Sequence, residues 1–96
     1  MNYIVTTSNK KVTLPERGYF TKGDHGEDIM IIASFLTMNF IGYEFKTKVK
    51  IDDVLGEWIG NNLIAWVKEF QRNNNLEADG NIGPKTLAKL KEYGLE

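Results

Sequence analysis

The sequence predicts an all-α fold, a small three-helix bundle carrying an extended N-terminal arm. Three observations predict it. Segments 61–73 and 84–93 place apolar residues at steps of three and four, the spacing of an amphipathic helix. A third segment, near 27–40, is apolar on almost every side. Alternation is loose and confined to the first residues, so nothing builds a sheet. Three helices joined by turns then pack on one another.

Residues 1–23 carry Tyr3, Val5, Val12 and Leu14 in loose alternation, with Pro15, Gly18 and Gly23. They read as an extended arm or linker, with room for one short strand pair. A disordered leader fits residues 1–12 equally well. We divide the chain into an arm, 1–20, and a helical module, 21–96.

The first helix is expected from Gly26 or Glu27 to about Phe40. Asp24 can cap it, and Glu27 and Asp28 put negative charge on its first turn. Ile29, Ile32, Leu36 and Phe40 form one stripe, while Met30, Ile31, Phe35 and Met38 occupy other faces. Such a helix must be covered on more than one side. Gly42 suits its C′ position. Residues 43–60 read as irregular, with Tyr43, Phe45, the lysines Lys46, Lys48 and Lys50, and Asp52-Asp53.

The second helix is expected from about Asn61 to Asn73, burying Leu63, Trp66, Val67 and Phe70. Asn73-Asn74-Asn75 stops it, because Asn tolerates left-handed backbone. Asp79-Gly80 marks a tight turn. Pro84 opens the last helix at a position where its missing N–H costs nothing. Leu87, Leu90 and Tyr93 line the inner face, and Gly94 closes the helix.

Composition narrows the chemistry. The 96 residues include 12 Lys+Arg and 13 Asp+Glu, a formal net charge of −1. A non-specific nucleic-acid binder needs a basic footprint that this balance lacks. There is no cysteine and one histidine, His25. Disulfides, thiol catalysis and zinc centres built on Cys or several His are excluded. Asp52, Asp53 and Glu57 invite a paired-carboxylate reading, but their spacing matches no calcium loop and so small a domain offers no cleft. No catalytic residue, metal or cofactor is expected. The first eleven residues lack the basic-then-apolar order of a signal peptide, and the apolar run 29–36 is too short to span a bilayer. A cytosolic protein, a module of a longer exported protein and a protein released by lysis all fit.

The chain also echoes itself. Residues 59–70 laid over 82–93 share Ile, Gly, Ala, Lys and Glu, with Ile64/Leu87, Val67/Leu90 and Phe70/Tyr93 as near matches. Amphipathic helices resemble one another by chance, but the shared Ile-Gly before each helix favours duplication.

Three segments then carry a resemblance. Lys22-Gly23-Asp24-His25-Gly26-Glu27-Asp28-Ile29 is similar to a Gly-Asp-x-Gly-x-Asp-Val opening. Val67 to Leu76 is similar to Val-x-x-Phe-Gln-x-x-x-x-Leu, and Asp79 to Thr86 to an Asp-Gly-x-x-Gly-Pro-x-Thr turn. Together they resemble the peptidoglycan-binding domain family, small modules of bacterial and phage cell-wall hydrolases. The likeness runs over about residues 14–94, including a lead-in at Leu14 to Phe20 found before such domains in amidases. The chain departs from the pattern at the first turn, where Asp52 to Gly60 is longer and Asn61-Asn62-Leu63 replaces Pro-x-Thr. In the first helix Ile32-Ala33 stands where the family has Leu-Gln, and Met30 and Ile31 stand at positions the family keeps polar.

The resemblance implies a non-catalytic module that binds peptidoglycan through its glycan or stem peptide. It implies a catalytic hydrolase domain in the same parent chain, an amidase or endolysin, acting outside the cell or at a Gram-positive wall. Candidate ligand-binding residues are Tyr43, Trp58, Gln71, Arg72, Asp79, Asn81, Lys85 and Thr86. Tyr43 and Trp58 can stack on a sugar face. Arg72 and Lys85 can meet carboxylates. Asp79 can face a polar ligand, but accepting N–H bonds inside its own turn is the favoured reading. Gln71 can bond a ligand or a neighbouring loop. Thr86 can bond Asp79 or the turn backbone. Trp66 and Phe70 read as core, and His25 as a surface residue. Met30 and Ile31 suggest that the arm or a second copy covers the first helix. Two other functions stay open: a helix-turn-helix nucleic-acid binder, weakened by the long 73–84 connection, and a protein-interaction module using Met30 and Ile31.

Overall fold

The computed structural model describes residues 11–96. It is all-α among those residues, with five helices in chain order: α1 (Glu27–Asn39), α2 (Tyr43–Thr47), α3 (Ile51–Val54), α4 (Asn61–Asn73) and α5 (Pro84–Glu92). The three expected helices are α1, α4 and α5. Two further short helices, α2 and α3, fill the segment read as irregular. Five and four residues are too few to show a helical period.

Helix α1 is covered on several sides. Ile29, Ile32 and Leu36 are buried, and so are Ile31, Ala33, Phe35 and Thr37. Met30 and Met38 remain exposed. Its bounds are as expected, but its caps differ. The N-cap is Gly26, at φ 137°, not Asp24. The Asp24 carboxylate instead accepts the Thr21 N–H at 2.9 Å and pairs with Arg17. Gly42 is not a left-handed C′ residue, since α1 stops at Phe40 and the chain re-enters a helix at once. Gly42 is the right-handed N-cap of α2, and the Tyr43 N–H bonds the Phe40 carbonyl at 3.0 Å.

An aromatic cluster packs against the core, with Tyr43, Trp66 and Phe70 buried and Phe40 and Tyr93 partly buried. Phe40 stacks on Tyr43 at 5.2 Å between centroids and meets Phe70 and Tyr93 edge-on at 5.5 and 5.4 Å. Trp66 packs edge-on against Tyr43, and its Nε1 donates to the Val49 carbonyl at 3.0 Å. That bond satisfies the one polar atom of a fully buried indole.

The internal echo is visible in the backbone. Gly60 and Gly83 are the N-caps of α4 and α5, with φ/ψ of −109°/−173° and −96°/−168°. The preceding Ile59 and Ile82 are both buried. One N-terminal segment ties the two copies together. Phe20 exchanges backbone bonds with Ile82, each 2.9 Å. Three residues later Gly23 donates to the Ile59 carbonyl, and the Ile59 N–H returns to Asp24.

Both helices also end alike. The Leu76 N–H reaches the Gln71 carbonyl at 2.9 Å, and the Leu95 N–H reaches Leu90 at 3.1 Å. These are six-residue closures with a left-handed residue before each leucine, Asn75 at φ 59° and Gly94 at φ 122°. The asparagine run thus stops α4 through Asn75. The C-terminus is anchored too, because Val12, fully buried, donates to the Glu96 carbonyl at 2.9 Å.

Candidate functional site

The turn between α4 and α5 is built around one side chain. Gln71 projects from the last turn of α4 and is buried. Its Oε1 accepts the Gly80 N–H at 2.9 Å. Its Nε2 donates to the Asn81 carbonyl at 2.9 Å, to Thr86 Oγ1 at 3.0 Å and, more weakly, to Asp79 Oδ1 at 3.2 Å. The same Asp79 oxygen accepts the Asn81 N–H at 2.9 Å. A buried primary amide has one acceptor and two donor hydrogens to satisfy. Here all are used, and the Asp-Gly turn is locked to both helices.

Outside this lock lies a groove of about 410 Å³. Its rim holds Asp79, Asn81, Lys85 and Glu77, and its floor Gln71 and Thr86. Asn81 Oδ1 accepts a hydrogen bond from Thr21 Oγ1 at 2.7 Å, so the N-terminal segment fixes the orientation of one rim amide. Lys85 and Asp79 are exposed, with Lys85 in the first turn of α5. The groove therefore presents one cation, two carboxylates and, besides Gln71, the Asn75 and Asn81 amides, a set suited to a polar ligand bearing both charges.

Five of the eight candidate residues meet at this groove: Gln71, Asp79, Asn81, Lys85 and Thr86. Gln71 and Thr86 are buried and spend their hydrogen bonds on the turn. The other three lie elsewhere. Arg72 is on the outer face of α4, paired with Glu69 at 3.3 Å, beside a separate groove. Tyr43 is only 8% exposed, with its ring against Phe40 and Trp66. It helps form the core, and no sugar-stacking face is open there. Trp58, by contrast, is 57% exposed and stacks with His25. Ile31 is 3% exposed and belongs to the core, so it does not join Met30 in an outer patch.

Sequence reasoning did not single out Asn75, Leu76 and Glu77, which complete the groove. The left-handed Asn75 was the available signal, since a closure at that residue swings the next two toward the turn. Among the described residues, no group of three His, Asp or Glu side chains could hold a metal ion, and no helix is long and apolar enough to cross a membrane.

No solved structure matches the chain. A family model described as a peptidoglycan binding domain matches residues 38–90, which takes in α2 to α4, most of α5, both Ile-Gly turns and the Gln71 lock. The match covers more than half of the 96 residues, and the chain belongs to the peptidoglycan-binding domain family.

Proposed function

We propose that this chain is the wall-anchoring module of a cell-wall hydrolase, an amidase or phage endolysin, and that it acts outside the cell on a Gram-positive wall. The observation that carries the reading is the groove beside the Asp79-Gly80 turn, inside the region matched by the family model. Asp79, Asn81 and Lys85 are the contacting residues, and Gln71 and Thr86 hold them in place. Lys85 meets a stem-peptide carboxylate, and Asp79 meets an amine of the same peptide. The module does no chemistry of its own. Tethering raises the effective concentration of a catalytic domain at its substrate, so that each encounter becomes nearly intramolecular.

Mixing the purified protein with insoluble peptidoglycan from several Gram-positive genera, followed by centrifugation, tests this directly. Sedimentation with at least one wall preparation is expected, and it should weaken when Asn81 and Lys85 are replaced together by Ala. A protein that stays in the supernatant with every preparation overturns the reading.

A further inference from the structure

We infer that the first of the two helix-opening turns carries a second binding site, a saccharide subsite centred on Trp58. This rests on the peptidoglycan reading for its biological ligand. The site itself stands on three features of the fold.

The first is position. A groove of about 420 Å³ lies against the start of α4 and is lined by Gly60, Asn61, Asn62 and Leu63. In the internal alignment these correspond to Gly83, Pro84, Lys85 and Thr86, which line the groove at the start of α5. The duplicated unit therefore offers a concavity at the same place in each copy. The second copy's groove carries a cation, Lys85. The first copy's groove carries the Trp58 indole instead, and no Lys or Arg lines it.

The second feature is an exposed but fixed indole. Trp58 is 57% exposed and neighbouring Leu55 46%, and both line the groove. The backbone around Trp58 is pinned on both sides. Gly26 donates to the Glu57 carbonyl, and Ile59 donates to Asp24, each at 2.8 Å. His25 lies nearly parallel to the indole, 11° between planes and 6.1 Å between centroids. The pyrrole edge rests on Gly60, where an added Cβ would stand 3.0 Å from Trp58 Nε1. Exposing a large ring is unfavourable unless something covers it, and a ring already held in place loses little freedom when a ligand arrives.

The third feature is chemistry. Asp53, Asn61 and Asn62 line the same groove with a carboxylate and two amides, groups that hydrogen-bond sugar hydroxyls and acetamido groups; the Asn62 amide also donates to the Asp53 carbonyl at 3.2 Å. Asp52 and Glu57 add negative charge nearby, which disfavours phosphates and peptide carboxylates. A neutral pyranose, laid with its C–H face on the indole, fits that combination. The two grooves then divide the wall between them, stem peptide at α5 and glycan at α4.

Titration with a β-1,4-linked N-acetylglucosamine tetramer, followed by nitrogen-15 NMR, tests the site. The indole N–H of Trp66, bonded to Val49 in the core, is the internal control. Saturable shifts of the Trp58 indole N–H and the Asn61 and Asn62 amides are expected, with Trp66 still. Trp58→Ala should weaken the sugar about tenfold or more. Gly60→Ala, which retains the tryptophan but pushes the ring edge away, should weaken it in the same direction. The inference is overturned by an absence of shifts at millimolar sugar. It is also overturned by shifts undiminished in Trp58→Ala, or by a stem tetrapeptide moving the Trp58 signal where the sugar does not. Co-sedimentation with whole peptidoglycan separates the two readings. Sedimentation without sugar shifts removes this site alone, and sugar shifts without sedimentation remove the wall-anchoring role alone.

Discussion

The side-chain carbonyl of Gln71 accepts the backbone N–H of Gly80 at 2.9 Å, across nine residues and inside the protein. It makes the turn before α5 an extension of α4. Truncating Gln71 strands the buried Gly80 N–H and removes the donor to Thr86 and Asn81. Gln71→Ala should therefore destabilise by about 2–3 kcal/mol, the cost of leaving buried polar groups unsatisfied. Gln71→Glu should do no better at neutral pH. Its carboxylate can still accept from Gly80, but it faces Asp79 Oδ1 and the Asn81 carbonyl with no proton to offer. Urea denaturation of the three proteins checks both statements.

Gly80 is constrained twice over. Its φ is +80°, and a Cβ there would lie 2.8 Å from Ile64 Cγ2. Gly80→Ala should cost about 1–3 kcal/mol from backbone strain and crowding together. The two contributions separate in a double-mutant cycle with Ile64→Ala. Truncating Ile64 relieves the closest contact but leaves Lys68 Cε at 3.2 Å and the left-handed backbone, so the glycine substitution should cost less in that background without becoming neutral. Equal costs in both backgrounds would remove the Ile64 contact from the account and leave the backbone and Lys68.

These two residues also show how much was legible beforehand. The helices α4 and α5 follow from apolar spacing, because each is long enough to repeat its pattern, and α1 from an apolar run opened by Glu27 and Asp28. The Asp79-Gly80 turn and the left-handed Asn75 follow from residue types that favour one local conformation. The missed features depend on contacts distant in sequence. Nothing local joins Thr21 to Asn81, and nothing tells that the chain re-enters a helix at Tyr43 and turns that ring inward. Asp24 looked like a helix cap, yet its carboxylate serves the turn before it, since Arg17 and the Thr21 N–H lie closer to hand. For Gln71 the loop-bonding alternative is the one the turn displays, while Trp58 and Tyr43, alike in sequence context, part company in exposure.

The Asp24 carboxyl is held below the usual aspartate range. Burial works against this, but the Thr21 N–H, the hydrogen bond and charge of Arg17, and the charge of His25 outweigh it. A carboxylate depressed in the folded state contributes stability above its unfolded pKa, about 3.9. That contribution is lost as pH falls through the folded value. Asp24→Asn should thus be less stable than the wild type from about pH 5 upward. The gap should be under about 1 kcal/mol, because the Arg17 pair is partly solvated. It should narrow as pH drops below about 4. Urea midpoints measured across that range provide the check, and a gap independent of pH would trace the loss to the turn geometry rather than to charge.

Lys85 offers a way to separate binding from stability. It lies in the first turn of α5, where the positive end of the helix dipole disfavours a cation. Retaining a lysine there works against the helix, which is understandable if the charge serves a ligand in the adjoining groove. Lys85→Glu should raise stability slightly, by about 0.3–1 kcal/mol, by placing an anion at that position. The same change should lower wall retention several-fold by repelling stem-peptide carboxylates. Arg72→Ala makes the useful comparison. Arg72 sits in the last turn of α4, where a cation is favoured, and it lines a different groove. Its loss should lower stability by a few tenths of a kcal/mol and leave retention at the α5 groove intact. Thermal melts run beside co-sedimentation would resolve the pattern. A Lys85→Glu protein that melts higher and still binds the wall as the wild type does would remove Lys85 from the binding surface.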